Sequence, residues 1–213
     1  ISMASHQFRT PLTIIQANLD FLDMQKQEMN KVIRPQFDSV YGSVHEQIKS
    51  MTDLMNEVLV LGKINSGSLK PNLKLDDITT TCSKVLKSIN SIQLDNRQMK
   101  LEVIGEKRNI AIDEKLLEQA LSNLISNAFK YSEETENPKF VIDFTKDKTQ
   151  ITISDKGVGI PKDDLKKIFQ PFHRSENVLN IEGTGLGMSI AKEYLAINDA
   201  TIEVKSKLGM GTD

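Results

Sequence analysis

The sequence predicts two long antiparallel helices followed by an α/β or α+β layer, on three observations: a pair of apolar seams, a Gly/Ser/Pro-rich break, and mixed periodicities beyond it. Phe8, Leu12, Ile15, Leu19 and Leu22 keep one seam apolar along a helix of roughly thirty residues, about 45 Å long. The stretch 30–36, which contains Pro35, breaks the pattern, and Phe37, Tyr41, Val44, Ile48, Met51, Met55 and Val58 resume the same 4, 3 spacing. A hairpin of this kind has only stripes to bury. Fewer than about 70 residues rarely build a sufficient core alone, so self-association into a four-helix bundle, and hence a homodimer, is expected.

Gly62, Ser66, Gly67, Ser68 and Pro71 have the composition of a linker, and divide the chain into a helical unit, 1–66, and a second domain, 67–213. Beyond the break the patterns predict a helix near 77–92, a strand 99–104 and a strong helix 113–132. Phe140, Ile142 and Phe144 alternate with Val141, Asp143 and Thr145, and Ile151 and Ile153 with Thr152 and Ser154, which reads as a β-hairpin across 146–149. A further helix is expected from Pro161, another from near Gly185 to Asn198, and then a strand 201–205. Both ends look cut, since 1–5 already read as helix and 209–213 stop where another strand is expected.

The 213 residues carry a formal net charge of −2. That near balance gives no long-range field for nucleic acid or an anionic membrane, so no nucleic-acid partner is expected. No apolar run approaches the roughly 18 residues of a membrane span, and the first residues lack the basic segment plus apolar core of a secretion signal. Cys82, the only cysteine, supports neither a disulfide framework nor a cysteine metal site. It reads as a small buried apolar residue of a cytoplasmic chain.

Four segments carry chemistry. His6, in Ser5-His6-Gln7-Phe8-Arg9-Thr10-Pro11-Leu12, precedes the apolar seam by two residues and is expected to reach solvent. A mostly neutral imidazole has a lone pair able to attack phosphorus without prior deprotonation. Pro11 deprives the Gln7 carbonyl of its helical partner beside it. Taken alone, a surface histidine is the plainer reading. In Asn123-Leu124-Ile125-Ser126-Asn127-Ala128-Phe129-Lys130-Tyr131, Leu117, Leu121, Leu124 and Ala128 make an apolar stripe, while Asn123, Asn127, Lys130 and Tyr131 share another face. An Asn127 amide oxygen suits Mg²⁺, and Lys130 can neutralise phosphate. A plain amphipathic helix would explain the polarity, but not two asparagines in a helix interior.

Asp155-Lys156-Gly157-Val158-Gly159-Ile160-Pro161 follows the second hairpin strand. A carboxylate there can accept a hydrogen bond from an adenine amine, and glycines let the backbone approach the ring; an ordinary Asp/Gly turn is about equally consistent. Gly183-Thr184-Gly185-Leu186-Gly187-Met188-Ser189-Ile190 sets three alternate glycines at a helix start, where free N–H groups favour phosphate. Neither the dinucleotide fingerprint nor the Walker loop is present, so a different nucleotide fold is needed. Between these segments, 168–174 with Phe169 and Phe172 and the polar stretch 175–182 look like a mobile cover, although core is the more common fate of a phenylalanine such as Phe169 or Phe172.

In order, these segments resemble the phosphoacceptor, asparagine, first glycine, phenylalanine and second glycine boxes of bacterial sensor histidine kinases, over nearly the whole chain. The resemblance implies a dimerisation and histidine phosphotransfer hairpin followed by a Bergerat-type ATP-binding sandwich. It further implies autophosphorylation of His6 by ATP with Mg²⁺, then transfer to an aspartate on the receiver domain of a response regulator. It makes His6 the nucleophile, Asn127 the Mg²⁺ ligand, and Asn123, Lys130 and Tyr131 neighbours of phosphates and base. Asp155 would select adenine, Gly157 and Gly159 would shape the pocket, and Arg174 would meet phosphate charge. Gly183, Thr184, Gly185, Leu186 and Gly187 would form the phosphate end of a lid. Thr10 matches the position that orients water for regulator dephosphorylation. One departure is Gln7, where the family has Glu or Asp: glutamine accepts a hydrogen bond but cannot take a proton, which implies slow autophosphorylation. Two alternatives remain at this stage, an ATP-driven clamp of the same ATP fold and a non-enzymatic dimeric scaffold.

Overall fold

The computed structural model describes residues 2–25, 34–93, 95–132, 136–145, 147–181 and 183–213; in the hairpin helices the side chains of 2–11, 21, 25, 34 and 36 fall outside the description. The chain divides into two compact units, Ile1–Leu69 and Lys70–Asp213.

The first unit pairs α1 (Ser2–Gln25) with α2 (Arg34–Asn65). All the described residues of the first seam lie in α1, and the 26–33 stretch where its end is expected lies outside the described residues. Pro35 lies within the first turn of α2 instead of ending a helix, because a first-turn N–H has no intrahelical acceptor to lose. Leu19 and Ile48 are the buried members of the two seams. Ile15, Leu22, Val44, Met51 and Val58 stay largely exposed on the single hairpin. Helix α2 closes on Gly67, which takes φ +64°, with Ser68 N–H returning 3.1 Å to the Lys63 carbonyl.

In the second unit, acidic caps start both long helices. Asp77 accepts from Thr79 N–H at 2.9 Å ahead of α3 (Ile78–Ile92), and Asp113 from Leu116 N–H at 3.2 Å ahead of α4 (Glu114–Lys130). The hydrogen bonds from Thr79 hold the Asp77 carboxyl below its ordinary range. Asp113 also accepts from Asn72 N–H at 2.7 Å and gives its own N–H to Asn198 at 2.6 Å, so the α4 cap anchors two distant segments.

The central sheet has the order β2 (Lys100–Ile104), β4 (Lys139–Asp143), β5 (Gln150–Ser154), parallel then antiparallel. Two short pairs complete the strands, β1 (Lys74–Asp76) with β3 (Ile110–Ile112), and β6 (Ser206–Lys207) with β7 (Gly211–Thr212). Helix α5 (Gly187–Ile197) packs on α4, and α4 on α3. Phe140 and Ile142 are wholly buried, each contributing about 1.5–3 kcal/mol. Also buried are Leu117, Leu121, Ile125 and Ala128 of α4 and Cys82 of α3, whose thiol burial pushes its pKa up to about 12.

Four expectations are corrected. The buried α4 stripe passes through Ile125, and Leu124 is only half-buried. Residues 161–170 coil through mixed three- and four-residue hydrogen bonds, such as Lys167 to Asp164 and Ile168 to Asp164, not a regular helix. The strand runs over Ser206–Lys207, not 201–205, and Lys205 exchanges backbone hydrogen bonds with Asp213 just ahead of it. Helix α5 begins at Gly187, since Gly185 takes φ +75°. Strands β1 and β3, three residues each, are too short to show periodicity.

Candidate nucleotide site

The C-terminal half of α4 collects the segments singled out in the second unit. Asn123 donates from Nδ2 to the Gly187 carbonyl at 3.1 Å, which ties α4 to the first residue of α5. One turn on, the half-buried Asn127 side chain makes no hydrogen bond to any described residue. It lies between Asn123 and Lys130, which meet Gly187 and Gly183, and its amide oxygen is of the type that can share Mg²⁺ with phosphate oxygens and water. Lys130 Nζ lies 5.2 Å from the centroid of the Tyr131 ring. A Cβ on Gly183 would come within 2.9 Å of that Nζ, so the second glycine segment passes against the end of α4. Burial raises the Tyr131 phenol above its ordinary pKa.

Asp155 follows β5 and exchanges backbone hydrogen bonds with Thr212, at 2.9 and 3.3 Å. Its Oδ1 accepts from Gly157 N–H at 2.8 Å. Burial pushes the carboxyl pKa up, against the lowering pull of that hydrogen bond. Gly157 cannot be anything larger: a Cβ would overlap the Tyr131 carbonyl oxygen, which receives Val158 N–H at 3.0 Å. Gly159, at φ +66°, would drive a Cβ into the Lys207 carbonyl. The first glycine turn is thus wedged between the end of α4 and the β6–β7 hairpin.

The cover joins the same cluster. Asn177 donates to the Gly159 carbonyl at 3.2 Å, and Phe172 N–H to the Gly185 carbonyl at 3.0 Å. His173 Nε2 lies 3.1 Å from Asp164 Oδ1. Phe172 is 61 % exposed while Ile168 is buried, so the core contact comes from the isoleucine. Arg174 donates to the Val178 carbonyl at 2.9 Å and also to that of Ile181, so its guanidinium is engaged within its own loop. Thr184 Oγ1 accepts from Leu186 N–H at 3.2 Å, and Leu186 is fully buried, anchoring the glycine segment from within.

Asn123, Lys130, Tyr131, Gly157, Gly183 and Gly187 are therefore brought together, with Asp155 at the floor of the turn. Among the described residues no group of three His, Cys, Asp or Glu could hold a metal. The side chains of His6, Gln7 and Thr10 lie outside the described residues; their backbone is in α1. Sequence reasoning missed Asn177, Ser206 and Thr212, whose backbone and hydroxyl contacts leave no periodic trace.

These features are those of an α/β module, with a candidate nucleotide site, that follows a helical hairpin in the chain. Residues 1–67 match the His Kinase A (phospho-acceptor) domain, and residues 112–213 the histidine kinase-, DNA gyrase B-, and HSP90-like ATPase. The chain is 31% identical over 212 residues to sensor histidine kinase YkoH of Bacillus subtilis, covering 98% of this chain and 44% of that protein. It is 32% identical over 216 residues to sensor histidine kinase WalK of the same organism, covering 100% of this chain and 35% of WalK. Full-length ShkA in complex with AMPPNP superposes with a TM-score of 0.81 at 23% identity, over 99% of this chain and 43% of that one, a likeness of fold. The chain belongs to the sensor histidine kinases and contains their phosphoacceptor and ATPase domains. It spans less than half the length of these two relatives. Among the described residues no helix is long and apolar enough to cross a membrane.

Proposed function

We propose that the chain is the catalytic core of a histidine kinase that phosphorylates its own His6 from ATP and passes the phosphoryl group to an aspartate of a response regulator. In this reading residues 1–66 dimerise and carry the histidine, and 67–213 bind the nucleotide. The convergence of Asn123, Lys130, Gly157 and Gly183 on the end of α4, beside Asp155, supports it most. The imidazole of His6 attacks the terminal phosphorus, and ADP leaves with the electron pair of the broken P–O bond. Asp155 accepts from the adenine amine; Asn123 and Tyr131 line the cleft, and Lys130 neutralises phosphate. Asn127 would hold Mg²⁺, which would supply charge neutralisation at the phosphates.

The exposed apolar residues of the hairpin support a homodimer. Ile15, Leu22, Val44, Met51 and Val58 continue the seams that Leu19 and Ile48 bury, and a second hairpin would cover them. Thr10, one turn after His6, serves regulator dephosphorylation by orienting water. The deciding experiment is incubation with γ-labelled ATP and Mg²⁺, comparing wild type with His6→Ala. Acid-labile, alkali-stable label that is absent from the variant is expected; equal labelling of both would exclude His6.

A further inference from the structure

We infer that Ser206 is a positioning residue for base selection, holding the turn that carries Asp155; this rests on reading the Asp155 cleft as an adenine site. The Ser206 hydroxyl accepts from Ile160 N–H at 2.8 Å, donates to the Gly211 carbonyl at 2.8 Å and lies 3.0 Å from Thr212 Oγ1. A hydroxyl has one proton and two lone pairs. With the proton given to Gly211, the lone pairs take Ile160 N–H and Thr212 O–H, and the group is fully used.

One half-buried oxygen thereby joins the two strands of chain that flank Asp155. On one side it grips the far end of the glycine turn at Ile160. On the other it grips Thr212, whose backbone exchanges both hydrogen bonds with Asp155. The junction has no slack elsewhere: a Cβ on Gly211 would overlap the Asp155 carbonyl, and one on Gly159 the Lys207 carbonyl. Asp155 Oδ1 is committed to Gly157 N–H, which makes Oδ2 the atom to offer a ligand. Its direction follows the turn, so a turn loosened at Ile160 misplaces it.

That oxygen separates bases by a simple rule. Adenine offers an amine donor where hypoxanthine offers a carbonyl, so a well-placed carboxylate attracts the first and repels the second. Loss of the Ser206 hydroxyl leaves Ile160 N–H without its partner and blunts the discrimination, whereas a merely structural role would weaken both nucleotides alike.

The test is calorimetric titration of the 213-residue chain with ADP and with IDP, each with Mg²⁺, for wild type, Ser206→Ala and Ser206→Thr. Ser206→Ala is expected to weaken ADP about tenfold, the range of one buried hydrogen bond, and to leave IDP unchanged. Ser206→Thr keeps the hydroxyl and restores ADP binding. Selectivity that survives in a Ser206→Ala protein, or an equal loss for both nucleotides, overturns the inference alone. A wild type that binds neither nucleotide, or both alike, overturns the adenine reading and this inference with it.

Discussion

Asn123 and Gly187, sixty-four positions apart, are joined by a 3.1 Å hydrogen bond from the asparagine amide to the glycine carbonyl. That carbonyl belongs to the first residue of α5, immediately after the glycine segment, so the bond registers the glycines against α4. A Cβ on Gly187 would still meet Asn123 at 3.7 Å, an ordinary contact, so polarity and not tightness makes this link.

Asn123→Ala is therefore expected to cost about 0.5–1.5 kcal/mol, the net worth of one hydrogen bond. The site reading adds that KM for ATP rises while the fold persists. Autophosphorylation rates measured across ATP concentration, beside a thermal melt, check both; an unchanged KM would detach Asn123 from the nucleotide.

Asp155 gives a pH dependence of definite sign. Burial raises its carboxyl pKa, so the folded chain holds this proton more tightly than the unfolded one. The resulting stabilisation is complete below the ordinary value of about 3.9 and is lost as pH rises through the raised one. Asp155→Asn carries no charge to bury, so without nucleotide it should melt above wild type at pH 7, and the advantage should vanish near pH 4. Melting curves from pH 4 to 8 decide, and a variant less stable at pH 7 contradicts the sign.

Gly159 and Gly209 provide a controlled comparison. Both take left-handed backbone, φ +66° and +73°, but a Cβ would strike the Lys207 carbonyl at the first and meet nothing within 4 Å at the second. Gly209→Ala should lose roughly 1–2 kcal/mol, the left-handed penalty. Gly159→Ala should lose more and should also lose nucleotide binding. Urea unfolding of the two variants measures the gap, and equal losses would remove the wedge at Gly159.

Gln7 stands where an acidic residue would accept the second imidazole proton as charge develops. Gln7→Glu should raise the autophosphorylation rate within the range of about 10²–10⁴-fold that general bases supply. Single-turnover labelling of both proteins tests it, and an unaccelerated variant would overturn the idea that Gln7 slows the reaction.

Much of the second unit was legible because its signals are local. The helices expected near 77 and 113 start where Asp77 and Asp113 cap them, and Phe140, Ile142, Ile151 and Ile153 alternate with the pleat. The stretch after Pro161 misled because a proline at a helix start is equally at home in successive turns. Leu124 misled because Leu and Ile are interchangeable in a stripe, and the choice of Ile125 depends on which side of α4 meets its neighbours.

Residue order alone was enough to mark the long helices, the central strands and the glycine turns, because each depends on neighbours within a few positions. The meeting of Tyr131 with Val158, of Ser206 with Ile160 and of Asn177 with Gly159 depends on segments up to 46 residues apart. Such contacts form only when burial of Phe140, Ile142 and Leu121 draws helices and sheet together, since hydrogen bonds of a few ångströms cannot act across an unfolded chain.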